Sequence, residues 1–210
     1  MRPEDRTMCA RLGFPPRLLL LGLALAGCSD TTAPQQRQSD NLVILRLDPT
    51  GPPLYNREVS FYAKVGEGTE GSLYFRGPQG QRTDEFARLR IGSGSLLARP
   101  DGTPFGANDS ILITMRLADS SWILVELQPS GLTFRSDQPA ELRLKYAHAD
   151  RDFNRDGEVD DRDTEVEHRL SLWRKEKPGD PFIKVGSVRS ESEKLIRANL
   201  MGFTRFAIAY

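Results

Sequence analysis

One short stretch, Asp152 to Asp163, combines residue types and spacings that suit the coordination of a cation by oxygen. It reads DFNRDGEVDDRD and is called the acidic loop below. A calcium loop of this length takes oxygen ligands at positions one, three, five, seven, nine and twelve, and needs glycine at position six for a sharp turn. Gly157 falls at position six. The residues at the six ligand positions are Asp152, Asn154, Asp156, Glu158, Asp160 and Asp163.

The individual positions agree with what calcium requires. At position seven Glu158 would coordinate through its backbone carbonyl, and at position nine Asp160 would often coordinate through a water molecule. Val159 is the apolar residue expected to anchor the loop to its own fold. Magnesium is disfavoured because it keeps several waters and demands a stricter octahedron. The alternative is a solvated acidic turn without an ion, since Asn, Asp and Gly favour turns for local reasons.

The opening Asp-x-Asn-x-Asp-Gly resembles the loops of dockerin modules, and Asp163 at position twelve is part of that resemblance. Helix–loop–helix calcium sensors usually have glutamate there and need two amphipathic helices. Residues 164–169 (TEVEHR) carry no apolar stripe at helical spacing, so no amphipathic helix is expected after the loop. The sequence therefore predicts a single structural calcium site that holds together a long connection between strands.

The N-terminus has the layout of a secretion signal. Arg11 and Arg17 precede an apolar run from Leu18 to Ala26, which is too short to span a bilayer. The run leads into the string LAGC, which ends at Cys28. This string is similar to the bacterial lipobox, in which the cysteine is lipidated and becomes the first residue of the mature protein. The alternative is an ordinary signal peptide with an incidental cysteine.

The lipobox resemblance implies a signal peptide over residues 1–27 and a membrane anchor on Cys28. Ser29, rather than aspartate, after the cysteine implies onward sorting to the outer membrane of a bacterial envelope. Residues 28–40 are polar without apolar periodicity and are predicted to be a flexible tether. Cys9 is lost with the signal peptide, so the mature chain would have no disulfide, cysteine nucleophile or cysteine–zinc site.

Composition indicates an ordinary globular protein. The chain has 210 residues, 38% of them hydrophobic, with 29 basic and 29 acidic side chains. This balance of charge argues against a partner that is a nucleic acid.

Alternating apolar residues dominate the rest of the chain. Residues 58–65 place Val59, Phe61, Ala63 and Val65 on one face. This alternation is typical of a strand with one buried face and one face exposed to solvent. About ten to twelve short strands with frequent turns and no convincing amphipathic helix predict an all-β fold, an antiparallel β-sandwich with the calcium loop inserted. Residues 41–210 form this β-sandwich region, with a division into 41–93 and 94–210 as an open alternative.

The second part of that region resembles a known family. Residues 127–134 (LQPSGLTF), followed by 139–142 (PAEL), are similar to a signature of ZU-five-type β-sandwich domains, and residues 200–207 (LMGFTRFA) are similar to their closing strand. The resemblance covers about 94–210 and implies a scaffold for protein–protein contact or autoinhibitory packing, with no catalytic residues. Gly202 stands where relatives often have histidine, so no role of that histidine carries over.

Few residues suit catalysis. His148 and His168 flank the acidic loop and could be a pair of bases or zinc ligands, but no His-x-x-His spacing or cysteine partner accompanies them. They are therefore interpreted as surface residues. No nucleophile elbow or phosphate loop is present in the sequence, and the pair Asp160–Asp161 belongs to the acidic loop. The sequence predicts that the protein is not an enzyme.

The aromatic residues leave two interpretations open, an exposed carbohydrate- or peptide-binding face or a sandwich core. Trp173 could fall on either face. The preferred hypothesis is a lipid-anchored, non-catalytic envelope protein that acts in protein interaction or adhesion. The alternatives are a cell-surface carbohydrate-binding module and an unrecognised hydrolase. The aromatic residues concerned are Trp122, Trp173, Tyr55, Tyr62 and Tyr74.

Overall fold

The alternating segments form fourteen strands, joined by one helix, in a computed structural model that describes residues 34–38 and 41–210. Two strands, β1 and β8, have only two residues each, which accounts for the excess over the ten to twelve expected. The elements are β1 (Gln36–Arg37), β2 (Glu58–Lys64), β3 (Thr69–Arg76), β4 (Arg82–Ile91), β5 (Leu96–Ala98), β6 (Ser110–Leu117), β7 (Leu124–Gln128), β8 (Thr133–Phe134), β9 (Ala140–Lys145), α1 (Asp161–Arg169), β10 (Ser171–Lys175), β11 (Phe182–Val185), β12 (Ser187–Ser190), β13 (Leu195–Leu200) and β14 (Arg205–Ala209).

The strands form two main antiparallel sheets. A seven-stranded sheet has the order β1-β11-β10-β14-β7-β6-β2, and a five-stranded sheet has the order β12-β13-β9-β4-β3. A small third sheet pairs β5 with β8. Inward side chains of both main sheets, among them Leu89, Leu142 and Ile113, are fully buried in one apolar core. The prediction of an all-β antiparallel sandwich is confirmed.

A second apolar cluster centres on Trp173. Leu172 points into the main core, whereas the next residue, Trp173, packs with Leu42, Phe182 and Ala209 in a separate cluster. The indole N–H of Trp173 donates to the carbonyl of Ala209 at 3.1 Å. Because adjacent residues of a strand point to opposite faces, the seven-stranded sheet is covered on both sides at this point. Trp173 is therefore a core residue and does not line an exposed binding face.

Within the segment predicted to be a tether, Gln36 and Arg37 form β1 and pair with Ile183 and Phe182 of β11. The predicted signal peptide and Cys28 lie outside the described residues. Among the residues that are described, no helix is long and apolar enough to cross a membrane.

The helix α1 begins at Asp161, within the acidic loop, and it lacks an apolar stripe, as the sequence leads us to expect. Its end caps stabilise it in place of an apolar stripe: Asp160 is the N-cap and forms a capping box with Asp163. His168 and Arg169 lie in the last turn, where a positive charge interacts favourably with the helix dipole. Val166 is the one apolar residue of the helix and is buried, so apolar periodicity does not predict the helix.

Candidate metal centre

The acidic loop lies where the chain passes from one main sheet to the other. It follows β9 of the five-stranded sheet, and α1 continues from it to β10 of the seven-stranded sheet. The loop and helix together therefore form the crossover between the two halves of the sandwich. Any interaction that stiffens the loop also restrains this crossover.

Carboxylate and amide oxygens close the first half of the loop on its own backbone. Asp152 accepts hydrogen bonds from the backbone N–H groups of Asp156 at 3.1 Å and Gly157 at 2.9 Å. Asn154 Oδ1 accepts from the same Asp156 N–H at 2.9 Å. Gly157 has φ +91°, in the left-handed region, where a β-carbon would be strained. The turn that the glycine at position six was expected to permit is present.

Asp163 ties the two ends of the loop together. Its side chain is buried, with 3% exposed. Oδ1 accepts from the N–H of Asn154 at 3.0 Å, and Oδ2 accepts from the N–H of Asp160 at 2.9 Å. Positions three, nine and twelve of the loop are thereby held together by one carboxylate.

A cation of the protein itself contacts the loop. The guanidinium of Arg162 lies 2.9 Å from Asp156 Oδ2 and 2.7 Å from Asp160 Oδ2, and Glu158 is 3.7 Å away. The side-chain and backbone hydrogen bonds from Arg162 lower the pKa of Asp160 below its ordinary value. Sequence reasoning missed this role of Arg162, although a basic residue among so many acidic neighbours was a visible signal.

The oxygen donors fit calcium in type, order and backbone turn. Their side chains are arranged otherwise: in the part of the chain that the structure describes, no three His, Cys, Asp or Glu side chains are grouped so that they could hold a metal. One oxygen of Asp156, Oδ2, is paired with Arg162. Calcium binding through Asp156 would therefore compete with this ion pair.

The loop is anchored by residues other than the one expected. Val159 is 65% exposed, so the prediction that it anchors the loop is wrong. Phe153 packs against the main core, and its carbonyl accepts a hydrogen bond from the Tyr210 hydroxyl at 2.9 Å. Arg155 donates to the carbonyl of Ile44 at 2.6 Å. The loop thus contacts both the first and the last segments of the sandwich.

The helix is attached to the five-stranded sheet through Glu167. The Tyr146 hydroxyl donates to Glu167 Oε1 at 2.9 Å, and the Lys194 ammonium donates to the same oxygen at 2.6 Å. Burial acts to raise the pKa of Glu167, but the hydrogen bonds from Lys194 and Tyr146 outweigh it and leave the pKa below its ordinary value. Burial, together with the bond to Glu167, raises the pKa of Tyr146 to about 12.

The two histidines have separate partners. His148 Nε2 lies 3.4 Å from Asp84 Oδ2, while His168 Nε2 lies 3.6 Å from Glu191 Oε1. Among the described residues, neither belongs to a group that could hold a metal.

The aromatic residues that could have formed one binding face lie in different surroundings. Trp122 is half-buried, with the guanidinium groups of Arg46 and Arg155 at 4.9 and 4.8 Å from its ring centre. Tyr62 is 67% exposed on β2. Tyr55 and Tyr74 line one shared groove beside β3.

Comparison with models of protein families, with curated proteins and with solved structures found no match. The resemblances to ZU-five-type domains, to dockerin loops and to the lipobox therefore rest on the residues named for each of them.

Proposed function

We propose that this chain is a lipid-anchored, non-catalytic binding module of the bacterial cell envelope, whose sheet crossover is stabilised by one calcium ion. The observation that carries the proposal is the acidic loop at the crossover, with its ends joined through the buried carboxylate of Asp163. An ion at this position would restrain the passage of the chain between the two sheets. Such a role suits a module that must stay folded outside the cell without a disulfide.

The ion would be held by oxygens that now accept hydrogen bonds from the loop backbone or pair with Arg162, so its binding would rearrange these side chains. Calcium would supply positive charge that screens these carboxylates from one another. Glu158 would contribute its backbone carbonyl and Asp160 would coordinate through water, as calcium loops commonly do. The side chains that would hold the ion directly are Asp152, Asn154, Asp156 and Asp163.

A non-catalytic role is supported by how the polar groups are used. The carboxylates of the acidic loop accept hydrogen bonds from the loop backbone or pair with Arg162. Each histidine faces a different carboxylate. A binding role in protein interaction or adhesion needs only a stable scaffold with a recognition surface.

Calcium is expected to raise the melting temperature of the purified chain. A dissociation constant of about 10⁻⁴ M and an ion concentration of about 1 mM give about 1.4 kcal/mol of stabilisation. At this size that corresponds to roughly 3–6 °C. The measurement is a pair of melting curves, one with calcium and one with a chelator. Identical curves would contradict the calcium site.

Two variants separate binding from other effects of the ion. Asp156→Ala should abolish the calcium-dependent shift and leave the fold intact in chelator. Arg162→Gln should enlarge the shift, because it removes the cation that competes for Asp156. If Arg162 is the only cation that the loop binds, Arg162→Gln should lower the melting temperature. Calcium should then leave the melting temperature unchanged.

The anchor is supported by the order of charge, apolar run, small residues and Cys28, and Ser29 supports the outer membrane as its destination. Cys28→Ala is expected to abolish labelling by a lipid precursor and to release the protein from the membrane fraction in a bacterial host. Ser29→Ala is a matched control that should keep the label. Retention of the unlabelled Cys28→Ala chain in membranes would argue for another mode of attachment.

A further inference from the structure

Three arginines lie in one row across the outward face of the five-stranded sheet. Arg88 of β4 is directly opposite Arg143 of β9, and Arg143 is directly opposite Arg197 of β13. Neighbouring strands are about 4.8 Å apart, so the three side chains leave the sheet at similar intervals. Like charges placed directly opposite each other destabilise a sheet. This arginine row therefore has a cost that the fold does not require.

Only one arginine of the row has an ion-pair partner among the described residues. Arg88 pairs with Glu85 at 2.7 Å, but neither Arg143 nor Arg197 forms an ion pair with any described residue. Arg143 Nε is also buried without a hydrogen-bond partner among those residues. A buried donor without an acceptor is costly and uncommon in folded proteins.

The adjacent row shows the usual arrangement. There, Arg90 of β4 is opposite Glu70 of β3 on one side and Glu141 of β9 on the other. Opposite charges alternate across these strands and support the sheet. The arginine row departs from this arrangement because three positive side chains stand side by side in it. This departure points to an external anion.

The arginine row leads into a groove at the edge of the sheet. Ser72 of β3 is opposite Arg88 and also lines a groove of about 360 Å³. Tyr55 and Tyr74 line the same groove together with one acidic residue, Glu70, and one basic residue, Arg82. Tyr55 is 46% exposed. The guanidinium of Arg82 lies 4.5 Å from the ring centre of Tyr74. We call this the tyrosine groove.

The tyrosine groove is held in place by backbone contacts. The N–H of Tyr55 donates to the carbonyl of Tyr74 at 2.7 Å. The side chain of Asn56 accepts from the N–H of Tyr74 at 3.0 Å and donates to the carbonyl of Ser72 at 3.1 Å. The segment that carries Tyr55 is thus fixed beside β3 before any ligand binds, which lowers the entropic cost of binding.

We infer that the arginine row and the tyrosine groove together bind an acidic polysaccharide. Guanidinium groups bind carboxylate, phosphate or sulfate with paired hydrogen bonds, which suits Arg143 and Arg197. An exposed tyrosine offers an apolar ring face and a hydroxyl, which suits a sugar ring next to Tyr55. The volume of the groove is within the range of small-ligand sites. The balanced charge of the whole chain disfavours nucleic acid.

This inference rests on the binding role proposed above and names its partner, but it depends on neither calcium nor the lipid. The test measures binding of the full chain to polygalacturonate, to neutral dextran and to duplex DNA at two salt concentrations. Binding to polygalacturonate alone is expected, and it should weaken as salt is raised.

Charge-matched variants locate the site. The double variant Arg143→Gln, Arg197→Gln should weaken binding by about tenfold or more. The control Lys177→Gln, Lys184→Gln removes the same charge from two exposed positions beside or on the other main sheet and should bind normally. The arginine double variant should melt no lower than the original chain, because it removes like charges placed directly opposite each other. Tyr55→Ala should also lower the affinity.

Four results would overturn the inference: no binding to polygalacturonate, equal loss in both double variants, equal binding of DNA, or unchanged affinity in Tyr55→Ala. A calcium-dependent melting shift without polysaccharide binding would leave the proposed calcium site intact and remove this inference alone. Polysaccharide binding without any effect of calcium on melting would support this inference and contradict the calcium site.

Discussion

Replacing Trp173 with alanine is expected to lower the free energy of unfolding by about 3–5 kcal/mol. The side chain is 2% exposed and centres the second apolar cluster. Its removal would leave a cavity and would deprive the carbonyl of Ala209 of the indole donor. Arg37 and Lys184, which lie 5.5 and 5.9 Å from the ring centre, would also lose their aromatic contact. Urea unfolding followed by circular dichroism measures the change.

Tyr62→Ala is the matched control for Trp173→Ala. Tyr62 is 67% exposed on the same sheet, so its truncation should change the stability by less than about 0.5 kcal/mol. Comparable losses in the two variants would mean that the outer face of the seven-stranded sheet is not covered as described.

Asp163→Ala is expected to destabilise the protein by about 2–4 kcal/mol in the absence of calcium. The variant leaves the N–H groups of Asn154 and Asp160 without their acceptor and removes the capping box of α1. The experiment is urea unfolding in excess chelator, so that the loss reports on the hydrogen bonds and not on an ion.

The control for Asp163 is its neighbour Asp161, which is exposed in the first turn of α1. Asp161→Ala should cost only about 0.3–1 kcal/mol through the helix dipole. If Asp163→Ala were as mild as this control, the carboxylate would not be what joins the ends of the acidic loop.

The turn in the first half of the acidic loop was predictable because its interactions are local. Asp152 contacts the backbone of residues four and five positions ahead, and Gly157 adopts the turn that its lack of a side chain permits. Residue type and spacing are sufficient for contacts of this range. The helix α1 depends on equally local contacts, between Asp160 and Asp163, but a search for apolar periodicity does not register a capping box.

The sequence by itself determined the inward face of strands such as β2, because a period of two is a property of each strand alone. Only the tertiary structure decided on which face of the sheet Trp173 lies and that this face is covered. The residues that pack around Trp173 come from distant parts of the chain. The tertiary structure also brought Arg88, Arg143 and Arg197 into one row, because strand order and register are set by the packing of the whole sandwich. Such long-range pairing leaves no mark on the local pattern of residues.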